Sequence, residues 1–147
     1  MEQIQHIYFI LRKKLSSRKG VAMTLPTLLL AVIAILLSAL SQLLMKAGMM
    51  IQPVQQALDS QEGFIRTAWT IIQSPLVISG LSSFGLSMAL WLYVLAKMQV
   101  SQAYPLVALG IVATALGGYF AFGDALSPIR LAGIGFITVG VFLVALS

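Results

Sequence analysis

The sequence predicts an all-α integral membrane protein: a bundle of four transmembrane helices preceded by an interfacial amphipathic helix. Three observations carry this. Of the 147 residues, 59% are hydrophobic and 9% charged, against roughly 25% charged in soluble domains, so lipid must be part of the solvent. The apolar residues gather into four runs of about the 20 residues that a bilayer core requires. The basic residues Arg12, Lys13, Lys14, Arg18 and Lys19 crowd just ahead of the first run, where a membrane protein carries its topology signal.

Residues 1–24 form a basic tail, and residues 25–147 form the membrane domain. In the tail, Ile4, Ile7, Tyr8, Leu11 and Leu15 recur at helical spacing, as in a helix lying on a membrane surface. The basic cluster follows this apolar stretch, the reverse of a cleavable signal peptide. It serves as a topology anchor or as a capture site for anionic lipid. The first span covers about 25–46, with Pro26 in its first turn, where a missing N–H costs nothing. A longer connection follows and contains the clustered acids Asp59 and Glu62. Within it Phe64, Ile65, Ala68, Trp69 and Ile72 fit an amphipathic surface helix, with Trp69 at the interface. The second span covers about 76–96, the third about 103–122 and the fourth about 129–146, joined by the short turns "KMQVSQ" and "GDALSPIR". Pro105 falls in the first turn of the third span, where it starts the helix or marks an unwound point.

Lysine and arginine set the orientation. With the N-terminus inside, the tail cluster and Lys97 face the cytoplasm, and only Lys46, Arg66 and Arg130 face outward. That bias predicts a multi-pass protein of the bacterial inner membrane with both termini cytoplasmic. The same placement turns the net charge of +5 toward the membrane and away from nucleic acid as a partner. There are no cysteines and one histidine, His6. No thiolate metal site, carboxylate dyad or nucleotide-binding glycine loop is present, so the sequence shows no enzyme chemistry and implies no cofactor or metal.

Gly80, Gly85 and Ala89 on the second span, and Gly110, Ala113, Gly117 and Gly118 on the third, suit close helix packing in lipid or helices that slide. Gly133 and Gly140 lie seven apart on one face of the fourth and predict a helix–helix seam between two subunits. Trp91, Tyr93 and Tyr104 either line a substrate cleft or pack against lipid.

The stretch "LLSALSQLLMKAG" carries a lysine into an apolar helix with no acid near it in sequence. Lys46 either snorkels to the headgroups or meets a phosphate. Gln42 lies one turn deeper on the same face and Ser38 one turn deeper again. The ladder Ser38, Gln42 and Lys46 gives one wall of a polar groove ending in a positive charge. Lys97 marks the opposite membrane surface. The sequence places no carboxylate within the membrane to carry a proton or to pair with a cationic drug.

From "GLSMALWLYVLAKMQVSQAYPL" through "SPIRLAGIGFITVGVFLVAL", the chain resembles the four-helix members of the drug/metabolite transporter superfamily. The Leu-Trp-Leu run, the short basic turn and the Ala-Tyr-Pro that follows resemble subunits of the 4-amino-4-deoxy-L-arabinose–phosphoundecaprenol flippase. "SQLLMKAG" is similar to a segment on the first span of those subunits. The small multidrug resistance family is the rival, but its membrane-embedded glutamate, eight residues before the lysine, is here Ser38, and its third-span tryptophan falls near Val107.

The resemblance implies a transporter or flippase subunit that moves a polyprenyl-phosphate-linked sugar, or polyprenyl phosphate, across the inner membrane. It implies a homodimer, or a heterodimer with a sister four-helix subunit. Ser38, Ser41, Gln42, Lys46, Trp91, Tyr93, Lys97 and Tyr104 would contact the lipid substrate, and Gly133 and Gly140 the second subunit. A cationic drug exporter and a non-transporting subunit of a larger complex are the alternatives.

Overall fold

The computed structural model of the chain describes residues 4–7, 9, 24–60 and 63–145, and the regular structure among them is all helical. The basic cluster Arg12 to Lys19 and Glu62 lie outside the described residues. Residues 4–7 and 9 are helical, and Ile4, Ile7 and Phe9 are exposed. Six further helices follow: α1 (Leu25–Met49), α2 (Gln52–Asp59), α3 (Phe64–Gln73), α4 (Pro75–Lys97), α5 (Val100–Phe122) and α6 (Pro128–Ala145). The helices α1, α4 and α5 are long and apolar enough to cross a membrane. The fourth predicted span corresponds to the shorter apolar helix α6.

Local chemistry sets the boundaries. Proline opens α1, α2 and α4 within the first two positions, where its fixed φ suits a helix and its missing N–H is no loss. The Ser127 hydroxyl accepts from the Arg130 N–H at 3.3 Å and caps the start of α6. Gly123 ends α5 in the left-handed region, φ 69°, which favours glycine.

Two readings change. The connection between the first two long helices contains the short helix α2, for which the sequence predicts no element, as well as the expected amphipathic α3. The third long helix starts at Val100, not near Ala103, because the Gln99 carbonyl already accepts from the N–H groups of Gln102 and Ala103 at 3.0 and 2.9 Å. Pro105 therefore lies inside the helix. Its ring removes the donor that the Ser101 carbonyl would otherwise receive, at a position within two turns of the end.

Helix α1 is the spine. It packs mainly along α4 and next on α5, while α6 packs on α5, and α4 and α5 touch each other little. The buried face of α1 is small: Ala31, Ala34, Ala39, Ser41 and Gly48 with Ile35, whereas Leu29, Ile33, Leu36 and Leu40 point outward. This inverts the soluble pattern. Lipid removes the hydrophobic drive between helices, so close backbone approach must hold them.

Gly80 shows the approach at its tightest. A Cβ there would stand 2.9 Å from the Ser41 carbonyl oxygen and 2.6 Å from the Met45 side chain. About two turns further along, the buried Ser87 hydroxyl donates to the Ala34 carbonyl at 2.9 Å and ties α4 to α1. Near the other end a cluster of Ala31, Ile35, Val94, Met98, Ala103, Leu106 and Val141 joins α1, α4, α5 and α6.

Candidate functional site

Because α4 and α5 share a short turn at one end and separate beyond it, with α1 behind both, a cavity of about 270 Å³ opens between them. Its back wall is Ala34, Ile35, Ser38, Ala39 and Gln42 of α1. Phe84, Ser87, Met88 and Trp91 of α4 form one side, and Val107, Gly110, Ile111 and Thr114 of α5 form the other. The wall is mostly apolar, with hydroxyls, one amide and two aromatic rings, the composition of a site that orients a ligand with a few polar contacts. Among the described residues no charged side chain lines it.

The polar groups are not equally available. The Ser87 hydroxyl is committed to Ala34, and the Thr114 hydroxyl donates to the Gly110 carbonyl at 2.9 Å. Gln42 is exposed and Ser38 half-buried, so these two of α1 offer the free hydrogen-bonding capacity on the back wall.

Lys46 lies one helical turn beyond Gln42, a rise of about 6 Å. No acid lies near it in sequence, but the fold brings one to it. Its Nζ donates to both Asp124 carboxylate oxygens, at 2.7 and 2.6 Å, and stands 4.5 Å from the centre of the Phe122 ring. Three local features bring Asp124 there. Gly123 turns the chain back at the end of α5, the Asp124 N–H donates to the Gly118 carbonyl at 3.3 Å, and Gly118 leaves the space that the carboxylate fills. A Cβ on Gly118 would stand 2.6 Å from Asp124 Oδ2. The side chains of Lys46 and Asp124 remain 40% and 41% exposed, so the pair is open to whatever surrounds that end. Arg130, at the start of α6, donates to the Ala125 carbonyl at 2.9 Å beside it.

The predicted site residues therefore divide into groups. Ser38, Gln42 and Trp91 meet in the cavity. Lys46 lies past its rim. Ser41 is fully buried on the α4 side, and its hydroxyl donates to the Ser38 carbonyl at 2.7 Å. Tyr93 and Lys97 are exposed near the opposite end of α4, with Lys97 Nζ 5.8 Å from the Tyr93 ring centre. Tyr104 is exposed near the same end. Around Gly133 and Gly140 no described residue stands within 4 Å of an added Cβ, so that face of α6 is open among the described residues. Sequence reasoning missed Phe84, Ser87, Thr114 and Asp124. For Asp124 a signal existed: in an up-and-down bundle the turn after the third span returns to the membrane surface where the first span ends.

The EamA-like transporter family matches residues 7–146. The chain belongs to this family. As an EamA-like transporter it sits in the drug/metabolite transporter superfamily, and the cleft between its long apolar helices is a site in a membrane transport protein. Among curated relatives it is similar to the probable 4-amino-4-deoxy-L-arabinose-phosphoundecaprenol flippase subunit ArnE of Aeromonas hydrophila. The two are 33% identical over 109 residues, which cover 74% of this chain and 94% of the relative. It is similar to subunit ArnF of the same probable flippase in Proteus mirabilis, 35% identical over 118 residues, 78% of this chain and 88% of that one. It is also similar to ArnF of Yersinia enterocolitica, 30% identical over 113 residues, 76% and 87% of the two chains. No solved structure matches the chain.

Proposed function

We propose that this EamA-like transporter is a flippase subunit that moves a polyprenyl-phosphate-linked sugar, or polyprenyl phosphate, across the bacterial inner membrane. One observation carries the reading: a cleft between α4 and α5, lined by Ser38, Gln42, Thr114, Phe84 and Trp91, with Lys46 one turn beyond. Moving a phosphate through bare hydrocarbon costs several kcal/mol or more. A cleft open between helices shields the headgroup while the prenyl tail stays in lipid. Hydroxyls and the Gln42 amide receive sugar hydroxyls, Trp91 offers an apolar ring face, and Lys46 offers a charge for the phosphate. Lys97 would serve the opposite membrane surface, beside Tyr93 and Tyr104.

In this reading α1, α4, α5 and α6 all span the membrane, with both termini in the cytoplasm. The open Gly133 and Gly140 face of α6 meets a second subunit, either another copy or a sister four-helix chain, and Gly140→Leu weakens that association in crosslinking. The names of the ArnE and ArnF relatives support the substrate class. Native mass spectrometry of the gently purified protein tests the function. A retained polyprenyl-phosphate lipid supports it. A protein that takes up no such lipid when it is supplied overturns it, and transport of quaternary ammonium compounds by that protein would favour the cationic exporter.

A further inference from the structure

We propose that Lys46 and Asp124 form an exchange site for a zwitterionic lipid headgroup, one that carries both a phosphate and a primary ammonium. The identity of that lipid rests on the flippase reading above; the exchange itself does not. At rest the two side chains neutralise each other through a bidentate contact of 2.7 and 2.6 Å. Both are about two-fifths exposed, so a headgroup reaches them without any helix having to part. Gln42 on the cavity wall lies one turn from Lys46, so a headgroup held at the pair has its next moiety at the cavity rim.

The choice of headgroup follows from charge accounting at the pair. A phosphate alone takes Lys46 and leaves the Asp124 carboxylate unpaired beside a second anion, which is repulsive on both counts. An ammonium alone takes Asp124 and strands Lys46 in the same way. A headgroup bearing both groups replaces one ion pair with two, phosphate on Lys46 and ammonium on Asp124, and no charge is left bare. Phe122 supports the exchange because its ring, 4.5 Å from Nζ, holds the lysine by a cation–π contact whichever anion it meets. Arg130 is the other described cation at this turn, and one of its guanidinium N–H groups donates to the Ala125 carbonyl.

Two lipid classes carry this chemistry, an amino-sugar on polyprenyl phosphate and an ethanolamine phospholipid. Native mass spectrometry titrations of the full chain compare three probes: polyprenyl-phosphate aminopentose, polyprenyl-phosphate glucose and phosphatidylethanolamine. The wild type is expected to hold the aminopentose lipid at least tenfold more tightly than the glucose lipid. Asp124→Asn brings that ratio to within about twofold of one, chiefly by weakening the aminopentose lipid, while Asp124→Glu keeps the preference and shows that the site is still built. Lys46→Gln weakens both polyprenyl lipids. A wild-type ratio near one, or a ratio that survives Asp124→Asn, overturns the exchange site and leaves the flippase reading standing. If phosphatidylethanolamine binds in an Asp124-dependent way and neither polyprenyl lipid binds, the exchange site stands and the flippase reading falls.

Discussion

The two sides of α1 are built to opposite ends. Toward α4 it presents Ala34, Ser41 and Gly48 to Ser87, Gly80 and Val77, so tightly that a single added carbon at Gly80 or Gly48 meets backbone within 2.9 Å. Toward the space between α4 and α5 it presents Ser38 and Gln42 to a cavity of about 270 Å³. The same helix is thus a welded joint on one side and a binding wall on the other. In lipid, where apolar burial does not distinguish inside from outside, close backbone approach and inter-helix hydrogen bonds such as Ser87 to Ala34 hold the bundle together.

Substitutions that fill the joint should cost fold, and substitutions that fill the cleft should cost binding. The largest effect is expected for Gly80→Leu, which drives a side chain into the Ser41 carbonyl and Met45. Overpacking costs about 1–3 kcal/mol and more where backbone must move, so a loss of monodisperse protein or a marked fall in melting temperature should follow. An unchanged melt would mean that the joint is not tight. Next, Gln42→Leu should leave the melt intact and weaken polyprenyl-phosphate binding about tenfold by native mass spectrometry; a folding defect instead would move Gln42 from the wall to the joint.

A double-mutant cycle on Lys46 and Asp124, scored by thermal unfolding in detergent, should give a coupling of about 0.2–1 kcal/mol, the range for open ion pairs. A much larger value would make the pair a structural clamp instead of an exchangeable contact. Ser87→Ala, which removes the inter-helix bond to Ala34, should cost about 0.6 kcal/mol on the scale of hydrogen bonds between membrane helices. The smallest effect is expected at Gly85→Ala, since nothing stands within 4 Å of the added carbon; any large change there would reveal a neighbour from another subunit.

The long helices were legible because hydropathy and bilayer thickness act locally: each apolar run ends where a proline, a lysine or a glycine stops it. The amphipathic α3 was legible for the same reason, and Phe64, Ile65, Trp69 and Ile72 are exposed. The α2 helix was not, because Gln52–Asp59 is polar in composition and its two buried residues, Val54 and Ala57, make too short a stripe to stand out. Of the groove, the ladder of Ser38 and Gln42 could be read from i, i+4 spacing. For Asp124 the bundle topology signals only the membrane surface: it lies 78 residues from Lys46, and its contact is delivered by the left-handed turn at Gly123, which a sequence reports only as one more glycine. Ser41 looked equivalent to Ser38 in composition, yet three residues of helical rotation bring it against Gly80.

The small buried face and bulky outer face of α1 have a consequence for how this protein tolerates change. At Leu29, Ile33, Leu36 and Leu40 the neighbour is fluid and adapts to any greasy shape, so drift among large apolar residues is nearly free. At Gly48 a change to valine or leucine keeps the polarity and adds volume where the Val77 backbone nitrogen already stands 2.9 Å from a single added carbon. A hydropathy plot scores the two kinds of change alike. For this helix the quantity that separates a silent variant from a broken one is cubic ångströms, not affinity for oil.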